Sequence, residues 1–132
     1  MKSLLPAILI LLAAPPALAQ VGDPEATARC LAVSQELAAR HDKATEAYNR
    51  RVEAYNAHPT EDEARKLDQF QKLLEQMSEV AMEIIIYYAG PDVPQAATDG
   101  IRARGVGELI TMGETCVAAE EARIDAANAP QN

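Results

Sequence analysis

Two long apolar stripes, separated by one proline-bearing break, decide most of what this chain can fold into. In the first, an apolar or small residue recurs every three or four positions: Ala26, Cys30, Val33, Leu37, His41, Ala44, Tyr48, Val52, Tyr55. The run covers 29 residues in eight steps, close to the 3.6 residues of a helical turn. Asp23 can cap its start, Pro24 sits where its missing N–H costs nothing, and Glu25 suits the positive end of the helix dipole. The stripe stops at "NAHP", where Pro59 disfavours helical geometry at His58.

The second stripe is Leu67, Phe70, Leu74, Met77, Ala81, Ile84 and Tyr88, in alternating steps of three and four. Thr60 with Glu63 forms a capping box, and Glu61 and Asp62 load the first turn with negative charge. Gly90 and Pro91 predict a left-handed C-terminal cap and a stop. The stretch "EIIIYYAG" at 83–90 has the β-branched and aromatic content of a strand. The heptad-like pattern runs through it, however, and predicts the last two turns of a helix.

A short connection makes the two helices antiparallel neighbours. Facing residues then have numbers summing to about 118, because both helices rise ~1.5 Å per residue. Val52 meets Leu67, Tyr48 meets Phe70, Leu37 meets Ala81, Val33 meets Ile84 and Cys30 meets Tyr88. The hairpin is about 50 Å long by the same rise.

Cys30 and Cys116 are the two cysteines, and the N-terminus says where they are spent. Lys2, the apolar run Leu4–Ala14, Pro15-Pro16 and Ala17-Leu18-Ala19 read as a secretory signal cleaved between Ala19 and Gln20. The expected protein is exported, most often to a periplasm, with a single helical domain at 20–127 and a disordered tail at 128–132. In that compartment two cysteines pair. Pairing excludes a straight third helix over 93–127, which would carry Cys116 ~35 Å above Cys30, against the ~6 Å that a disulfide permits between Cα atoms. Gly105 and Gly107 in "RARGVGEL" supply a turn. The expectation is all-α: a long antiparallel helical hairpin with a short C-terminal helical hairpin docked at its base. The latter climbs through 94–104, turns at 105–107 and descends, joined to the first by a Cys30–Cys116 disulfide.

Composition bears on partners. Past the leader there are 11 basic and 20 acidic residues, a net of −9, which argues against nucleic acid. Arg40 to Lys72 holds seven of each sign; the other four basic and thirteen acidic residues carry the whole imbalance. No apolar run past the leader is long enough to span a bilayer.

Chemistry-bearing motifs are sparse. His41 lies in the first stripe and His58 in the turn, 17 residues apart on one helix, too distant to share a metal. Ser34 and Ser78 sit in no catalytic motif, and nothing calls for a cofactor. Glu75, Glu79 and Glu83 form a row at i, i+4 and i+8 that could attract a cation. Met82 and Ile86 fall outside the seam, with Tyr87 at its edge. Either the C-terminal hairpin covers them or they form an apolar patch inside an anionic rim; helix ends this apolar are normally buried, so cover is expected.

Three functional readings follow. The leading one is a non-enzymatic exported protein that binds another protein, as adaptor, chaperone-like factor or inhibitor. Its contact would be Met82, Ile86 and Tyr87, or outward charges of the arm such as Arg51 and Lys66, and a homodimer through the base of helix 2 is one form of it. The second is an acid- or cation-responsive stress protein. The third is a helical enzyme, which requires Arg40, Arg102 and Arg104 to converge on one cavity.

Overall fold

The computed structural model describes residues 23–88 and 92–130. The expected leader with its cleavage point and the expected Gly90–Pro91 cap fall outside the described residues. Four helices follow in order: α1, Pro24–Ala57; α2, Glu61–Tyr87; α3, Gln95–Arg102; and α4, Val106–Ala127. Among the described residues there is no strand, and no helix is long and apolar enough to cross a membrane.

The local signals at the helix ends act as their chemistry dictates. Asp23 is the α1 cap, accepting from the Glu25 N–H at 3.2 Å, with Pro24 as the first helical residue. His58 is the C-terminal cap of α1, immediately before Pro59. Thr60 caps α2, its Oγ1 accepting from the Glu63 N–H at 3.1 Å. The register of the hairpin is also as counted from the turn. The rings of Tyr48 and Phe70 meet edge to face with centroids 5.6 Å apart.

The C-terminal half differs from the expectation in three ways. Helix α2 ends at Tyr87, and Tyr88 is already extended (φ −114°, ψ 121°), so "EIIIYYAG" contributes little more than one turn. The second turn spans Ala103 to Gly105, and Val106 and Gly107 already belong to α4. Helix α4 is also long, 22 residues against eight in α3, so the second hairpin is markedly unequal.

Helix α1 is the hub. It packs against α2, α3 and α4, and α4 also packs against α2. Two contacts fix the height of the added helices. The Arg40 guanidinium donates to the carbonyls of Arg104 (2.6 Å) and Arg102 (2.9 Å) and to Glu36 Oε1 (2.9 Å), pinning the end of α3 and the following turn. Ten residues lower on α1, Cys30 is bonded to Cys116, with Cα atoms 6.0 Å apart. Descent from Val106 to Cys116 and from Arg40 to Cys30 is the same ten steps, ~15 Å of helix. A chain that climbs, turns and returns is what makes the disulfide reachable.

Burial separates an arm from a foot. Every fully buried residue of α1 lies between Cys30 and Leu37. Above them His41, Ala44, Tyr48, Val52 and Tyr55 are only half-buried, the seam of a two-helix arm. In the foot Val33, Leu37, Met77, Ile84 and Leu109 are wholly enclosed. Two small residues bring the backbones close. Ser34 is buried and its hydroxyl donates to the Ala81 carbonyl across the seam at 2.7 Å. Gly113 sits where a Cβ would collide with Val80 and come within 3.2 Å of Ile84 Cδ1.

Candidate functional site

The outer face of α2 at its base is uncovered. Met82 is 62% exposed, Ile85 62% and Ile86 76%, whereas isolated exposed apolar residues elsewhere on a protein surface need no explanation. This overturns the expectation that the C-terminal hairpin would cover Met82 and Ile86. The reason is the path of α4. It docks on the side of α2 that carries Val80 and Ile84, between α2 and α1. Residues 82 and 86 stand about half a turn away from that side on a helix of 3.6 residues per turn. Ile85, which follows Ile84 by 100°, is left out by the same geometry. Sequence periodicity flagged Met82 and Ile86 but missed Ile85, which lies at the margin of the seam.

Tyr87 behaves differently from the other two residues of the expected patch. It is half-buried and packs against the core cluster. Partial desolvation, then the carboxylates of Glu121 and Glu83, raise its phenol above the usual pKa, with Asp125 adding to the effect. Carboxylates from α2 and α4 therefore converge on the edge of the patch. Tyr88 reaches across to α4, donating to the Cys116 carbonyl at 2.8 Å.

The carboxylate row is also exposed on this face. Glu75 and Glu79 are exposed and Glu83 is half-buried, and none of the three has an ion pair among the described residues. Among those residues no three or more His, Cys, Asp or Glu gather closely enough to hold a metal. The arm half of α2 is the reverse: Asp62 pairs with Arg65 and with Lys66 (3.1 Å), and Lys72 pairs with Asp68 (3.0 Å). Lys66 and Arg51 are both exposed; Lys66 pairs within α2, whereas Arg51 has no ion pair among the described residues. The base of α2 instead presents apolar surface beside carboxylates that nothing neutralises.

The remaining candidates do not assemble. His41 is half-buried beside Asp42, with Nδ1 3.8 Å from Oδ1, and His58 ends α1 at the opposite end from the foot. Arg40 spends its guanidinium on the backbone carbonyls of Arg102 and Arg104, while the Arg102 and Arg104 side chains are exposed and Arg104 pairs with Glu108. The three arginines do not converge on one cavity, which is what the enzymatic reading required. The chain matches no family model, no curated protein and no solved structure, so what it does has to be read from its own surfaces.

Proposed function

We propose that this is an exported, non-enzymatic binding protein of a periplasm-like compartment that acts through the outer face of α2 at its base. The partner is a protein segment with an apolar strip flanked by Lys or Arg. One observation carries the reading: Met82, Ile85 and Ile86 are exposed beside an unneutralised row of carboxylates. Contiguous apolar surface with a polar rim is costly to leave in water and is characteristic of interaction sites. A like-charged rim rejects acidic partners and draws basic ones. The disulfide between Cys30 and Cys116 supports an oxidising, extracytoplasmic location.

The test uses two synthetic amphipathic peptides with the same apolar face, one flanked by lysine and the other by glutamate. Fluorescence anisotropy should show the lysine peptide binding, more weakly as salt rises, and the glutamate peptide failing to bind. Met82→Ser with Ile86→Ser should abolish the binding and leave the melting temperature within a degree or two, since surface substitutions cost within about 0.5 kcal/mol. Equal binding of both peptides, or binding that survives the double substitution, defeats the reading. Sedimentation of the protein alone distinguishes a homodimer, which would lose its association with the same substitutions.

A further inference from the structure

The foot has a second surface of different chemistry on its other side. Between the start of α1, helix α3 and Met112 of α4 runs an open groove of about 580 Å³, within the ~300–1,000 Å³ of small-molecule sites. It exists because the residues facing it are small: Ala28 on α1, and Ala96, Ala97 and Gly100 on α3. Ile101, 2% exposed, and Met112 give it an apolar floor. A second cavity of about 370 Å³ shares Arg29 and Met112 with the first and continues over the disulfide. The hydroxyls of Thr111 and Thr115 on its wall donate back to the carbonyls of Gly107 and Thr111 at 3.1 and 2.9 Å, so they offer that space no unspent proton.

The charge at the mouth runs against the rest of the foot. Past the leader, only Arg29, Arg102, Arg104 and Arg123 are basic outside the Arg40–Lys72 arm, and two of these four border the larger cavity. Glu25 is the one carboxylate among the residues lining either space. Arg104 is held by Glu108, but Arg29, which borders both cavities, has no ion pair among the described residues. An open groove lined largely by apolar and small residues, with one unpaired guanidinium shared by both cavities and one carboxylate, Glu25, a turn away at its edge, matches a ligand that has a single anionic head and a flexible hydrocarbon tail.

We infer that this groove binds a single-chain anionic amphiphile of the fatty-acid type, its carboxylate on Arg29 and its tail over Ile101 and Met112. The site shares no residue with the α2 face. Purified protein is titrated with a dansylated undecanoic acid below its micellar concentration, following the dye emission. Saturable binding of one probe per chain is expected, displaced by dodecanoate and not by dodecyltrimethylammonium. Gly100→Leu is the decisive variant. Gly100 lines the groove and no atom lies within 4 Å of a Cβ there, so a larger side chain has room at the groove wall without a clash at Cβ. Binding should fall at least about tenfold with the melting temperature unchanged or raised. Arg29→Gln should weaken the probe by about tenfold, the scale of one hydrogen bond to a charged group, while Ile86→Ser leaves it unaffected. The inference is overturned if Gly100→Leu binds like the parent, if the cationic amphiphile competes equally, or if no saturable binding occurs. Cosedimentation with phosphatidylglycerol vesicles in the absence of monomer binding would also overturn it, assigning the charge to a membrane surface instead.

Discussion

Gly113 allows a quantitative check on how α4 docks. A Cβ at this position would fall closer to Val80 Cγ1 than two carbons can stand, 3.2 Å from Ile84 Cδ1 and 3.6 Å from Val33 Cγ1. Val80 cannot swing aside, because a β-branched residue in a helix keeps essentially one rotamer. It is also only 7% exposed, with no open space to turn into. Gly113→Ala must therefore push α4 outward, and overpacking of this kind costs about 1–3 kcal/mol, here at the upper end. Replacing Gly by Ala inside a helix returns about 1 kcal/mol. The expected net loss is about 1–2 kcal/mol, or a fall in melting temperature of roughly 3–10 °C for a chain of this size. Gly100→Ala is the matched control, with the same propensity gain and nothing to collide with, and it should melt higher than the parent by a few degrees. Thermal unfolding followed by circular dichroism measures both. A double-mutant cycle sharpens the test. Val80→Ala opens space where the Gly113→Ala methyl lands, so the pair should couple favourably by about 0.5–3 kcal/mol. If Gly113→Ala melts at or above the parent, or the cycle shows no coupling, the close approach of α4 to Val80 is wrong.

Two further outcomes follow from the same contacts. Cys30→Ala with Cys116→Ala removes a link of sequence separation 86 and should lower the urea unfolding free energy by about 4–5 kcal/mol on the chain-entropy account. A loss under about 1 kcal/mol would show that the α1–α4 junction holds without it. Tyr88 carries a pH dependence. Burial first, and then Glu120, raise its pKa above the usual phenol value of 10.0, so the fold favours the neutral phenol. Its stabilisation is complete below pH 10.0 and is lost as pH rises through the higher folded value. The alkaline decline in stability should be shallower in Tyr88→Phe. A phenolate difference spectrum between parent and variant with its midpoint at or below pH 10.0 would refute the environment assigned to Tyr88.

Much of this architecture is written locally. Asp23-Pro24, His58-Pro59 and Thr60-Glu63 mark helix ends through hydrogen bonds and torsion limits that involve only a few neighbouring residues. The two stripes mark the seam because 3.6-residue periodicity is a property of one helix alone, and the short turn then sets the register that pairs Tyr48 with Phe70. The disulfide was accessible by the same route. Once rise per residue and bond reach are known, Cys30 and Cys116 leave the chain only a path that climbs and returns.

Which faces the returning helix would cover could not be read that way. Val80, Met82, Ile85 and Ile86 are all apolar on one short segment, yet Val80 is enclosed and the other three stand in water. Periodicity sets Met82 and Ile86 outside the seam with α1, but nothing within the segment says which of the faces outside that seam a later helix will cover. The difference arises from where α4 crosses α2, and the crossing rests on contacts distant in sequence: the missing side chain at Gly113, the Arg40 bonds to the turn after α3, and the Cys30–Cys116 link. The groove beside Arg29 has the same origin, since Ala28, Ala97 and Gly100 read as unremarkable helix positions until α1, α3 and α4 are set around one space. Helix identity, helix ends and the arm's register come from short-range physics carried by neighbouring residues. The exposed face and the groove come from close packing between helices, which exists only once the chain has closed on itself.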